Sequence, residues 1–389
     1  MHNRREFLKD LSSATAGIFF VGCGLVDSAL GAVQASGAPQ AGGKGKRRQI
    51  VVGGRRIVTV DVHCHCSVIA AWDMIKGNAE AKNTQVGVTD PESPVGAQLD
   101  LRNVTDRLAE MDQQGIDVQA LGINPFWYWA GQDLARPLIK VQNEKLAELC
   151  AAYPDRFVAL GAVALQHPDL AVEQMEEGVK KLGMRGFMIG GSVNGEELSD
   201  PKFHPFWAKA EELGTLIFIH PQGFADGQKR FRGNGTLGNV IGNPLETTVA
   251  LSHLIFEGTL DRFPGVKICA AHGGGFLASY IGRSDHCVEY TGKFPAACKP
   301  VKKLPSEYLK QIYFDAIVFT DEALRHLVTE VGSSQIVLGT DYPYGMGEYH
   351  AVDHILSVPG LSDAQRRAML GDNAAKLLRI EPRALRAPL

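Results

Sequence analysis

Cysteine is scarce in this chain: seven in 389 residues, at scattered positions, which excludes a small disulfide scaffold. A surplus of charge of either sign is missing as well. Lys and Arg number 40 against 43 Asp and Glu, a formal net charge of −3, so the balance gives no reason to expect nucleic acid or a membrane surface as a partner. Long hydrophobic runs are absent. The most apolar stretch near the start, residues 14–26, is interrupted by Gly and Ser and is too short for a comfortable transmembrane helix. No Gly-rich phosphate turn follows the first strong strand pattern, which weighs against a dinucleotide-binding sheet. What remains is 45% hydrophobic and 21% charged, ordinary for a globular chain long enough to bury a large core.

Two arginines mark the beginning. Asn3-Arg4-Arg5-Glu6-Phe7-Leu8-Lys9 precedes the modest apolar run, the pattern of a twin-arginine export signal, an address read by export machinery that carries folded proteins. The expected divisions are a signal over residues 1–35, a flexible linker over 36–49, and a single domain over 50–385. Ala29-Leu30-Gly31 and Val33-Gln34-Ala35 both offer small residues for cleavage, and Phe20-Val21-Gly22-Cys23 offers a poorer lipoprotein site at Cys23. The expected location is the periplasm.

From residue 57 onward apolar strands alternate with helical stretches. Strand patterns fall at 57–62, 118–123, 157–163, 186–189, 215–219, 266–271, 312–317 and 336–338. Helical patterns fall at 104–112, 138–153, 169–182, 205–213, 247–256, 276–290 and 321–331, the first stopped by Gly115. Eight strands in this alternation predict an α/β fold, a closed (β/α)8 barrel of the TIM type, with an open doubly wound sheet as the alternative. Residues 67–99 have weak periodicity and two prolines, the profile of a long functional loop such as an active-site cover.

The metal-type residues sit where strands end. In Thr59-Val60-Asp61-Val62-His63-Cys64-His65, the two histidines stand at i and i+2 of a strand and so project from one face, their backbones about 6–7 Å apart. Two imidazoles so placed suit one cation, although His-x-His alone is equally consistent with packing. Cys64 and Cys66 alternate with them and face the other way, which removes them as ligands. His220 ends strand five, His272 ends strand six, and Asp341 follows strand eight. In a barrel all these ends open on one face, and the combination points to a metal site with a proton-transferring group.

In these motifs the chain resembles the amidohydrolase superfamily, in particular its metal-dependent decarboxylases of the aminocarboxymuconate-semialdehyde decarboxylase type. The resemblance rests on Asp61-Val62-His63-Cys64-His65, Glu110-Met111-Asp112-Gln113-Gln114-Gly115, Phe218-Ile219-His220-Pro221, Pro244-Leu245-Glu246-Thr247-Thr248, Ala271-His272-Gly273-Gly274-Gly275 and Leu338-Gly339-Thr340-Asp341-Tyr342-Pro343. It implies one divalent ion per chain, zinc by preference, held by His63, His65, His220 and Asp341. It also implies His272 as the catalytic acid–base beside Asp341, and Arg107 and Arg283 as ligands of substrate carboxylates. Arg283 would enter from a neighbouring subunit, which implies a homodimer. Read only as residues, both arginines are also consistent with surface or salt-bridge roles. Three imidazoles and a carboxylate suit zinc independently, with an open position that lowers the pKa of a bound water to about 7. Manganese, cobalt and iron are not excluded by the ligand set. The fourth strand, Gly186-Phe187-Met188-Ile189-Gly190, offers no lysine of the kind that bridges two metals in other members of the superfamily, which favours a single ion.

The expected activity is therefore decarboxylation of a small unsaturated or aromatic carboxylic acid. Hydrolysis of an amide, ester or lactone at the same site is the alternative, and binding without turnover a third reading that His272 and Asp341 argue against. Export itself departs from the type enzyme, which works in the cytoplasm, and two features of the sequence depart as well. His220-Pro221-Gln222 replaces its His-Pro-Trp, and residues 222–242 form a Gly-rich loop carrying Lys229, Arg230 and Arg232. Both put the substrate in question more than the chemistry.

Overall fold

A computed structural model of the chain describes residues 47–81, 85–233, 235–290 and 301–380. The expected export signal, Cys23 and the linker up to residue 46 lie outside the described residues. Eight parallel strands form the barrel: β1 (Val60–His65), β2 (Val118–Gly122), β3 (Phe157–Gly161), β4 (Gly186–Gly190), β5 (Leu216–His220), β6 (Lys267–Ala270), β7 (Ile312–Asp315) and β8 (Ile336–Val337). They pair in sequence order from β1 to β8. The two edges meet through Val62 N–H to Leu338 O at 2.9 Å and His65 N–H to Tyr342 O at 2.7 Å, closing the sheet and disposing of the open alternative.

Two apolar layers follow from strand alternation. The inner layer joins Val60, Val62, Val118, Ala120, Leu160, Met188, Leu216, Phe218, Cys269 and Val337. Ala374, Leu377 and Leu378, from the last helix Asn373–Leu377 and its cap, join them and stopper the end where β1 begins. The larger outer layer packs the opposite faces, including Leu121, Phe187, Ile217 and Phe314, against the surrounding helices. Helix ends follow the residues present. Gly115 at φ 77° stops Val104–Gln114 and Gly214 at φ 54° stops His204–Leu213, conformations that glycine reaches without a Cβ penalty.

Three regions differ from the sequence expectation. Residues 67–99 are not simply a loop: they carry helices Ile69–Ile75 and Pro94–Leu99 and a 3₁₀ segment, Gln85–Thr89. Beyond β8 the chain forms the helices Ala351–Ser357, Asp363–Arg367 and Asn373–Leu377, which the periodicity did not single out. Arg47 and Arg48, placed by composition in the linker, are held against the domain by Asp117 at 2.7 Å and by Asp353 respectively.

One irregularity positions the site. Between β1 and β2 the register shifts, Asp61 pairing with Gln119 but Cys64 with Leu121. The extra residue is a β-bulge. It lets Val62 pack in the inner layer while His63, its immediate neighbour, also turns inward, its ring 4.9 Å from that of Phe218. Bulges re-aim side chains in this way beside functional sites.

Candidate metal centre

Four side chains from three strand ends converge. His63 and His65 come from the end of β1, His220 is the last residue of β5, and Asp341 follows β8 by four residues. All four are buried, and one donor atom from each lies within 4.8 Å of every other. His63 Nε2 is 3.1 Å from His65 Nε2, His65 Nε2 is 2.8 Å from Asp341 Oδ1, and His63 Nε2 is 3.2 Å from the same oxygen. His220 Nε2 stands 4.0 Å from it. Donors on a tetrahedral ion with bonds of about 2.1 Å would be about 3.4 Å apart, and these separations bracket that value.

The electrostatics ask for positive charge. Burial alone would raise the Asp341 carboxyl, yet the His63 charge and hydrogen bonds to His272, His63 and His65 hold it well below its usual range. Burial lowers His65 to about 4 despite Asp341, and lowers His220 well below the ordinary imidazole value, with His65 and His63 adding to the effect. Two neutral imidazoles therefore bring lone pairs to a carboxylate. His63, against the effect of burial, is raised to about 10 by Asp341 and Asp315. The site thus draws a positive charge that a divalent ion would supply in the proton's place. Both ring nitrogens of His220 are buried without a protein partner, and such orphaned groups are costly unless something binds them. The residues fit a single divalent ion.

Sequence reasoning missed the group that holds His63. Asp315, the last residue of β7, is fully buried and accepts from His63 Nδ1 at 2.6 Å, which aims Nε2 at the cluster, the usual outer partner of a metal-bound histidine. It also accepts from the backbone N–H of His272 at 2.9 Å and of Gly273 at 2.8 Å. One carboxylate thus ties a ligand to the turn carrying the acid–base candidate. The signal was available, a lone Asp closing an apolar strand, but no spacing distinguished it.

His272 stands beside the four and outside their set. Its Nε2 is 3.5 Å from Asp341 Oδ2, its Nδ1 has no protein partner, and its side chain is 16% exposed. His272 and Asp341 both adopt positive φ, 55° and 59°, a strained conformation that concentrates at functional positions. After His272 the turn runs through Gly275, where a Cβ would stand 2.1 Å from the Pro244 carbonyl oxygen. A cavity of about 360 Å³ opens over His272 and Asp341, walled by Phe276, Ile317, Val318, Phe319 and Leu327, with Asn239, Asn243, Ser279 and His326 as its polar edge. Asn239 and Val240 reach it from a π-helical turn, Gly238–Gly242, a local irregularity common at such sites.

The two arginines that the resemblance implies as carboxylate ligands lie away from the cavity lining. Arg107 is 4% exposed and bonded to Gln119 and the His65 carbonyl, and Arg283 is exposed on the helix Leu277–Glu289. Among the described residues neither lines the cavity, and nor do Lys229, Arg230 and Arg232, which are exposed. Gln222 donates to the Pro125 carbonyl at 2.8 Å, and its backbone N–H to the buried Glu246 at 2.7 Å.

Comparison with known proteins agrees with this geometry. The amidohydrolase family model matches residues 60–380. A 2-amino-3-carboxymuconate-6-semialdehyde decarboxylase of Dictyostelium discoideum is 32% identical over 84% of this chain and 85% of its own length. The structure of 5-carboxyvanillate decarboxylase from Sphingomonas paucimobilis superposes with a TM-score of 0.75 at 26% identity, over 84% of this chain and all of that one. A 5-carboxyvanillate decarboxylase from Novosphingobium aromaticivorans, solved with manganese and 4-hydroxy-3-methoxy-5-nitrobenzoic acid, shares the fold with a TM-score of 0.74 at 23% identity, over 83% and 96% of the two chains. This chain belongs to the amidohydrolase family, within its branch of metal-dependent decarboxylases.

Proposed function

We propose that this enzyme removes CO₂ from a small aromatic or unsaturated carboxylic acid. The observation that carries the reading is the buried His63, His65, His220 and Asp341 cluster with His272 beside it at the base of an apolar-walled cavity. A bound divalent ion would supply Lewis acidity, orienting and polarising the acid. The apolar wall of Phe276, Ile317, Val318 and Phe319 suits a flat ring, and Asn239, Asn243 and Ser279 suit hydroxyl or carbonyl substituents on it. His272 delivers a proton to the carbon that carries the carboxylate, a step that needs a group within reach of both cavity and cluster. The carbon–carbon bond then breaks, its electron pair returns to the ring system as the ring carbon keeps the proton, and CO₂ departs. Asp315 fixes the turn from which His272 acts through the backbone N–H groups it accepts.

The finer assignments belong to the same proposal. Zinc is favoured by three imidazoles and one carboxylate, and manganese, present in the Novosphingobium relative, is the competitor that metal analysis of purified protein decides. Export by the twin-arginine route is supported by Arg4 and Arg5 and by Cys287, which is disulfide-bonded as suits an oxidising compartment. A homodimer sharing Arg283 across its interface is supported by that residue's exposure on the helix that lends Ser279 to the cavity.

The test is turnover on a panel of hydroxylated benzoic acids, unsaturated dicarboxylic acids, amides and lactones, with protein stripped by chelator and then reloaded with Zn²⁺ or Mn²⁺. CO₂ release restored by metal is the expected result. Restored hydrolysis without CO₂ would replace this reading with the hydrolase one.

A further inference from the structure

The buried arginine of the helix Val104–Gln114 sits on the wrong side of β1 for a substrate contact. His63 and His65 turn into the barrel, whereas Cys64 and Cys66 pack outward with Leu121 and Ile123 in the layer between strands and helices. The Arg107 guanidinium lies in that outer layer. Its central carbon is 4.6 Å from the centre of the Tyr342 ring. One terminal nitrogen donates to Gln119 Oε1 at 3.0 Å and the other donates to the His65 carbonyl. A carboxylate bound over His272 and Asp341 would have β1 between itself and this cation.

We infer that Arg107 is a positioning residue that braces the metal ligands from outside the barrel, an inference resting on the reading that the four residues hold a divalent ion. Gln119, which receives the Arg107 donor, passes its own amide N–H to Asp61 Oδ2 at 3.0 Å. Asp61 in turn accepts from the His63 backbone N–H at 3.1 Å, from Thr340 N–H at 3.1 Å and from Thr340 Oγ1 at 2.7 Å. Thr340 and Tyr342 flank Asp341. His63, His65 and Asp341 therefore have their own backbone, or that of an immediate neighbour, gripped by one buried polar cluster that Arg107 closes. The same cluster pins the bulge that brings His63 inward. A planar guanidinium can bridge a carbonyl and an amide oxygen while stacking on a ring, and an ammonium cannot. Removing it leaves the His65 carbonyl and Gln119 Oε1 without their buried donor, and relaxation there displaces ligands on the other face of the same strand.

The experiment uses the whole protein with Zn²⁺ alone and Co²⁺ alone as probes, so that substrate plays no part. Competition with a chromophoric chelator gives Zn²⁺ affinity, and the visible absorption of the Co²⁺ form reports coordination geometry. Arg107→Met is expected to weaken Zn²⁺ binding about 10- to 100-fold, as loss of an outer-shell partner typically does, and to alter the Co²⁺ spectrum. Arg107→Lys should fall between it and the unaltered protein. Folded Arg107→Met with unchanged affinity and spectrum would overturn the inference and return the arginine to a substrate role. Should Arg107→Met not fold, Arg107→Lys and Gln119→Leu decide in its place: weakened Zn²⁺ binding supports the brace, and unaltered binding in both rejects it. Failure of the unaltered protein to bind either ion removes the metal reading itself, and the brace with it.

Discussion

His220 and His272 end neighbouring strands, yet the structure divides their work. His220 brings two unpartnered buried nitrogens to the cluster, whereas His272 keeps its Nε2 3.5 Å from the far oxygen of Asp341 and faces the cavity. His220→Ala is expected to lose metal and activity together. His272→Ala should keep close to one ion per chain by metal analysis while kcat falls about 10²- to 10⁴-fold, the usual contribution of a positioned acid–base group. Metal loss in His272→Ala would make that residue a ligand. Asp315→Asn replaces a carboxylate acceptor by an amide that can present a donor to His63 Nδ1, so metal affinity should fall about 10- to 100-fold. Chelator competition checks it, and unchanged affinity would show that Asp315 does not orient His63. The cluster was legible because His65 and His220 close apolar strands, His63 stands two residues before His65, and Asp341 follows the last strand closely. Asp315 was not, because one carboxylate after Phe314 carries no spacing to distinguish it. The surroundings of Arg107 were not legible for a related reason: a position on the helix Val104–Gln114 does not reveal that its guanidinium ends on Gln119 and the His65 carbonyl.

At the scale of elements, the alternation of strands and helices was readable because buried parallel strands are apolar almost throughout, as in Phe218 and its neighbours. The bulge in β1 was not, since i and i+2 spacing places His63 and His65 together with or without it. The helices after β8 were missed because Ala351–Ser357 is only seven residues long and the helical run over 363–377 is broken by a π-helical turn, Ala368–Asp372, which interrupts the 3.6-residue period. The helix Asn243–Phe256 carries a further consequence. Burial pushes its Glu246 carboxyl up to about 7, although backbone N–H groups of Gln222 and Gly223 and the Ser192 hydroxyl oppose the shift. A carboxyl whose pKa rises from 4.5 to about 7 on folding binds its proton more tightly in the native state. Its favourable contribution is whole below pH 4.5 and is lost as pH rises through about 7. Glu246→Gln should therefore flatten the fall in stability between those values, measured by denaturant unfolding at several pH values. An equally steep fall in the variant would assign the slope to other groups.

For the whole molecule, the barrel, closed between β1 and the segment after β8, brings His63, His65, His220, His272 and Asp341 together at one face. Two properties lie beyond one domain's fold. Arg4→Lys with Arg5→Lys is expected to leave active protein in the cytoplasm, and fractionation that still finds it in the periplasm would reject the twin-arginine route. Arg283→Ala chains mixed with His272→Ala chains should recover some activity if the exposed arginine serves a neighbour, and proven hybrids without recovery would reject the shared site. The substrate was the least legible property, because the cavity is shaped by Asn239, Phe276, Phe319 and Met346 from separate loops and helices, which no single motif joins. The central claim is that the bond broken is carbon–carbon and that a proton replaces the carboxylate. Its most direct measurement is the mass of the product formed by metal-loaded enzyme in D₂O from whichever acid of the panel turns over. The account predicts a product lacking the mass of CO₂ and carrying one deuterium on the carbon that lost it; a product that has instead gained the elements of water, with every carbon retained, would contradict it.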